Sequence, residues 1–134
     1  MKPEILIVDD QPAVCKAVKT LLSPDYNVRC TSDGNKALEN IRETGAPDLI
    51  FADVDMPECD GHTFLEALKN DPRFSDIPVI MISNLDAGQN RVSFIEAGAE
   101  DYLEKPLSKA ELKSNINKHL FTTYSHCSNK ENKE

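Results

Sequence analysis

The chain has 134 residues, the size of one domain with one core, and 40% of them are hydrophobic. Its formal charge is −8, from 23 acidic against 15 basic side chains, a balance that argues against nucleic-acid binding, which needs a basic face. The cysteines, Cys15, Cys30, Cys59 and Cys127, match neither a zinc spacing nor a CxxC pattern. No apolar run approaches a membrane span, and Ile5 to Val8 is too short for a signal peptide. The expectation is a cytoplasmic protein with free thiols and no membrane segment.

Ile5-Leu6-Ile7-Val8 reads as a strand buried on both faces, and it ends in Asp9-Asp10. Gln11-Pro12 opens a helix, with Pro where a missing N–H costs nothing. Val14, Val18, Leu21 and Leu22 recur at helical spacing along it, and Ser23-Pro24 ends it. Tyr26 to Cys30 is a short β-prone segment. A turn over Thr31 to Gly34 leads into a helix carrying Ala37, Leu38 and Ile41, which stops near Gly45 and Pro47. Leu49 to Ala52 is a third apolar strand, and it runs into Asp53. Met56-Pro57 and Asp60-Gly61 then mark a turn.

Phe64, Leu65 and Leu68 mark the next helix, ended by Asp71-Pro72. Val79 to Ile82 is a fourth apolar strand, running into Ser83. A weaker helix spans about Gln89 to Ala97 and is closed by Gly98. Its start is poor, since Asp86, Gly88 and Asn90 are weak helix formers. Val92, Ile95 and Ala99 share one side and are expected inward; Phe94 is expected to point away from the core. Tyr102-Leu103 is a brief last strand, followed by Lys105-Pro106. Ser108 to Glu111 is a capping box opening a helix with Leu112, Ile116 and Leu120 inward. From Thr122 the chain is polar and aperiodic, so residues 1–121 are expected as the domain and 122–134 as a disordered tail.

Strand and helix thus alternate five times, which implies an α/β fold, a doubly wound parallel sheet with helices on both faces. No second core appears, and no attached output or DNA-binding domain is expected. In a sheet of order 2-1-3-4-5 the first and third strands are neighbours at the switch point. Asp9, Asp10 and Asp53 then stand side by side, with Ser83 and Lys105 flanking them. Taken alone, an Asp at a strand end can simply cap a turn. Three clustered carboxylates, however, repel one another and call for a cation. An all-oxygen set with room for water suits Mg²⁺. Lys105 can pair with a carboxylate at rest and with a phosphoryl oxygen afterwards, and Ser83 can donate a hydrogen bond to another. Such a set suits phosphoryl transfer onto a carboxylate.

The chain resembles the response-regulator receiver domains of two-component signalling, of the single-domain chemotaxis type, with a flavodoxin-like (βα)5 fold. The resemblance rests on Ile5 to Asp10, on Asp53 with Met56-Pro57 and Asp60-Gly61, on Ser83, and on Gly98 to Pro106. It covers roughly residues 4–121. It implies that Asp53 accepts a phosphoryl group from a histidine kinase or a histidine phosphotransfer protein. Asp9, Asp10, Asp53 and the backbone carbonyl of Asp55 would hold Mg²⁺. Lys105 would contact the phosphoryl group from beside a cis peptide, Ser83 would move toward it, and Tyr102 would follow inward. Output would pass through the face made by the fourth helix, fifth strand and last helix, Phe94 and Tyr102 included, to a protein target or a phosphorylation-dependent dimer. Asn84 follows the hydroxyl where a small residue usually stands, and Asp55 lies two places after the acceptor; both bear on phosphoryl lifetime.

Two other readings stay open at this stage. Asp53-Val54-Asp55 is a DxD of the kind haloacid-dehalogenase-like phosphatases use, although there it sits on the first strand and a hydroxyl residue stands where Pro57 is here. A non-phosphorylated pseudo-receiver scaffold would normally lack one of the acids or the lysine. His62, His119 and His126 read as surface residues, Cys59 as a passive thiol near the acceptor loop, and Cys15 as a helix-face filler.

Overall fold

A computed structural model of the chain describes residues 2–54, 60–84 and 88–121. Asp55, Cys59, Asp86 and the segment from Thr122 onward lie outside the described residues. The elements alternate as expected. They are β1 (Glu4–Val8), α1 (Pro12–Leu22), β2 (Asn27–Thr31), α2 (Gly34–Thr44), β3 (Leu49–Asp53), α3 (Gly61–Lys69), β4 (Val79–Ser83), α4 (Gly88–Glu96), β5 (Asp101–Glu104) and α5 (Lys109–Ile116). A π-helical turn, Asn117–Phe121, extends α5. All strands are parallel, in the order β2-β1-β3-β4-β5.

The near-continuous apolar strands are explained by burial on both sides. Period-two alternation sends Ile5 and Ile7 to one face and Leu6 and Val8 to the other. The first face packs against Val18 and Leu22 of α1 and Leu112 and Ile116 of α5. The second packs against Ala37 and Ile41 of α2 and Phe64, Leu65 and Leu68 of α3. β3 and β4 are buried along their whole lengths.

Local signals start and stop the helices. Pro12 begins α1, and no side chain caps its N-terminus. Asp33 and Asp60 accept the backbone N–H of Lys36 and Thr63, capping α2 and α3. Ser108 Oγ accepts the N–H of Glu111 at 3.1 Å, the first bond of the expected capping box, and its hydroxyl donates to the Glu111 carboxylate at 3.2 Å. After α4, Gly98 adopts φ 116°. Its N–H bonds to Ile95 O and that of Ala99 to Phe94 O, the paired bonds of a Schellman ending.

The fourth helix corrects one expectation. Phe94 is not exposed: its residue exposure is 3%, while Val92 and Ile95 are 58% and 40% exposed. Phe94 packs with its ring centroid 6.0 Å from Tyr102 and 4.5 Å from His62. Two stripes at helical spacing compete for the core here. The stripe of Phe94 and the half-buried Ala97 wins, because a phenyl ring removes more apolar area from water than Val or Ile. Phe94→Ala should therefore destabilise the domain by about 3 kcal/mol. Val92→Ser and Ile95→Ser should each stay within about 0.5 kcal/mol. Urea denaturation of the three variants checks this directly.

Candidate functional site at the carboxyl edge of the sheet

The parallel register delivers the acids to one edge. Val8 pairs with Ala52, so the residues after them, Asp9 and Asp53, leave adjacent strands at the same level. Asp9, Asp53 and Ser83 are buried and Asp10 is exposed. Carboxylate oxygens of Asp9, Asp10 and Asp53 all lie within 4.8 Å of one another. Asp9 is held by two backbone contacts. Its N–H donates to Thr31 O at 3.0 Å, and its carboxylate accepts the N–H of Gln11 at 2.9 Å.

Gly61 lets α3 approach this edge. A Cβ there would sit 2.6 Å from the Met81 side chain and 2.8 Å from the Asp53 carbonyl oxygen. The Gly61 N–H instead donates to Val54 O at 3.0 Å, tying the start of α3 to the chain just beyond Asp53.

Lys105 enters from the end of β5, where its N–H donates to Ser83 O at 2.8 Å. The Lys105–Pro106 peptide is cis. The ammonium stands 2.8 Å from Asp9 Oδ2 and 3.6 Å from Asp53 Oδ2, and it donates to Gln11 Oε1 at 3.3 Å. Burial by itself pulls the lysine's pKa down. The hydrogen bond to Asp9 and the charges of Asp53 and Asp9 outweigh that and lift it above the usual value, so the group stays cationic.

The sequence-predicted groups thus meet, apart from Asp55, which lies outside the described residues. Asn84 is exposed and shares a groove with Lys105, Pro106 and the α1 residues Ala13, Val14 and Ala17. Tyr102 is buried below the edge, near Phe94. His62 is half-buried and reaches Ser93 Oγ at 3.0 Å, while His119 faces Asp101 at 3.7 Å. Neither belongs to the acid cluster.

Sequence reasoning missed two features. Gln11 is a third partner of Lys105, hinted at only by its place directly after the acid pair. Cys15 and Cys30 also meet. They share one cavity wall, where Cys30, followed by burial, pushes the Cys15 thiol up and Cys15 holds the Cys30 thiol below its usual value despite burial.

The family model "Response regulator receiver domain" matches residues 5–117. The chain belongs to this family. The receiver domain is 36% identical over 115 residues to the "DNA-binding dual master transcriptional regulator RpaA" of Synechocystis; the match covers 85% of this chain and 47% of that protein. The chain thus spans less than half of that relative's length. Among solved structures, the receiver domain of a signal transduction histidine kinase from Syntrophus aciditrophicus is similar at 34% identity and a TM-score of 0.81, covering 90% of this chain and 91% of that one. The receiver domain of sensor histidine kinase PA1611 from Pseudomonas aeruginosa, solved with a magnesium ion in its active-site cleft, is similar at 26% identity and TM-score 0.81, covering 90% and 98%.

The chain is accordingly a receiver domain of the phosphoacceptor type, with an aspartate cluster at the carboxyl edge of its sheet. This sets aside the phosphatase, and the acids and the lysine that a pseudo-receiver scaffold would normally lack are present. The aspartate cluster can coordinate a divalent cation. Likeness to both kinases and regulators marks the receiver domain as a phosphorelay component. No helix among the described residues is long and apolar enough to cross a membrane.

Lys105→Met would leave Asp9 and Asp53 buried without their cation. The metal-free variant should lose about 2 kcal/mol, and saturating MgCl₂ should restore more stability to it than to the parent. Urea unfolding of both proteins, with and without MgCl₂, measures the two differences.

Proposed function

We propose that Asp53 is the phosphoacceptor and takes its phosphoryl group from the phosphohistidine of a sensor histidine kinase or a histidine phosphotransfer protein. The observation that carries this reading is the position of Asp53. It is buried at the tip of β3, with the acid pair within 4.8 Å and the Lys105 ammonium 3.6 Å away. Asp9, Asp10 and Asp53 fit Mg²⁺, since their oxygens are close, hard donors and Asp10 is open to solvent and its water ligands. The Asp55 carbonyl is the proposed fourth protein ligand. When bound, Mg²⁺ supplies charge neutralisation at the acceptor and phosphoryl oxygens.

A carboxylate oxygen of Asp53 attacks phosphorus, the P–O bond forms, and the P–N bond to the donor imidazole breaks. Lys105 moves its ammonium from Asp9 onto a phosphoryl oxygen, which costs only side-chain torsions because its backbone stays bonded to Ser83. Ser83 Oγ donates to a second phosphoryl oxygen, and its displacement opens room that Tyr102 follows into. Asn84 and Asp55 set how water reaches the acyl phosphate.

Output passes through the α4-β5-α5 face. Val92 and Ile95 stand exposed there, beside Asp101, which pairs with Arg91 at 3.7 Å and Lys118 at 3.5 Å. An apolar pair rimmed by ion pairs suits a protein partner or a phosphorylation-dependent dimer. Phe94 lies beneath this surface and is not part of it. The cytoplasm is the compartment that suits a phosphohistidine donor and free thiols.

Acetyl phosphate with Mg²⁺ should label the parent with a hydroxylamine-labile group, and Asp53→Asn should abolish the label. Undiminished labelling of that variant would overturn the assignment. In a chase of the labelled protein, Asn84→Ala should shift the rate of phosphoryl loss severalfold while its stability stays within about 0.5 kcal/mol.

A further inference from the structure

Two thiols meet beside the acid pair. Cys15 stands on the first turn of α1, and Cys30 lies on β2 opposite Ile7 of β1. Each thiol acts on the other's titration, raising that of Cys15 and lowering that of Cys30. Both line one cavity together with Asp9, Asp10, Thr31 and Lys36. Cys30 is exposed and Cys15 half-buried. Cys15 Sγ also reaches the backbone carbonyl of Asp9 at 4.0 Å. Packing accounts for Cys15 but not for Cys30, which fills no part of the core.

We propose that Cys15 and Cys30 are a redox-active dithiol that closes to a disulfide and thereby weakens cation binding by the adjoining acids. The oxidant is a low-molecular-weight disulfide of the glutathione type. The exposed Cys30, as thiolate, attacks one sulfur of the oxidant. A Cys30–sulfur bond forms, the oxidant's S–S bond breaks, and one thiol leaves. Cys15, on the wall of the same cavity, attacks the Cys30 sulfur and expels the second thiol. Two protein thiols are oxidised, one disulfide is reduced to two thiols, and the protein's two protons pass to the leaving groups.

The bridge would reach the acids through the chain. It ties the first turn of α1 to β2, and that turn begins directly after Asp9, Asp10 and Gln11. Gln11 stands at the N-cap position of α1 and donates its N–H to the Asp9 carboxylate. Drawing Cys15 toward Cys30 therefore shifts the segment that orients Asp9. This effect on the cation rests on the proposed ligand role of Asp9 and Asp10; the bridge itself does not.

The test uses the full chain with Cys59→Ser and Cys127→Ser, so that only the two thiols remain. After treatment with glutathione disulfide, non-reducing peptide mapping should recover Cys15 linked to Cys30. Calorimetric titration should show Mg²⁺ binding about tenfold weaker than in the reduced protein, with dithiothreitol restoring it. Adding Cys15→Ser should abolish both effects. A stable glutathione adduct on Cys30 with no bridge would overturn the proposal, as would a bridged protein with unchanged Mg²⁺ affinity. If the reduced protein bound no Mg²⁺, the ligand assignment would fail instead, and the peptide map would still decide the bridge.

Discussion

Carboxylate crowding is the constraint on which the rest of the structure depends. Two unit charges about 4 Å apart near a protein surface interact by about 4 kcal/mol. Three acids within 4.8 Å contain three such repulsive pairs, and the Lys105 ammonium pairs with two of the acids. Lys105 offsets only part of that load. The acid edge is therefore electrostatically loaded and is held in place by the packing below it. Both faces of the sheet are covered, and its central strands are buried along their whole length. A domain of this size has a net stability of only about 5–15 kcal/mol. The unrelieved repulsion is a sizeable fraction of that, which makes cation binding a matter of stability as well as of chemistry.

The position of the lysine adds to this picture. Its closest carboxylate is Asp9, at 2.8 Å, not Asp53 at 3.6 Å. The ammonium is thus parked against the deeper member of the acid pair, and Gln11 helps to hold it there. Asp53, the proposed acceptor, holds the ammonium at the longer of the two distances.

The strands, their order and the acids at their tips were legible in the sequence because each rests on a local signal. An apolar run that ends in a carboxylate announces both the strand and the site, and parallel connectivity then sets which tips are adjacent. The capping box at Ser108 and Glu111 and the glycine after α4 are similarly local. The facing of α4 was not legible, since two stripes at the same spacing compete and tertiary packing around Tyr102 selects between them. Nor was the meeting of Cys15 with Cys30, which depends on how α1 lies against β2. The preference of Lys105 for Asp9 was hidden for the same reason: it depends on side-chain distances across three strands.

The bond from the Lys105 N–H to the Ser83 carbonyl has a geometric consequence. It is made between the backbones that carry the two side chains flanking Asp53. Their Cα atoms are therefore spaced by the ladder, and only rotamers remain free above it. The edge behaves as a caliper whose hinge is a main-chain hydrogen bond and whose jaws are a hydroxyl and an ammonium. Its span is set by strand geometry, which changes little with the length of the loops around it, and its grip is adjusted by torsions that relax in nanoseconds or less once they are free of partners.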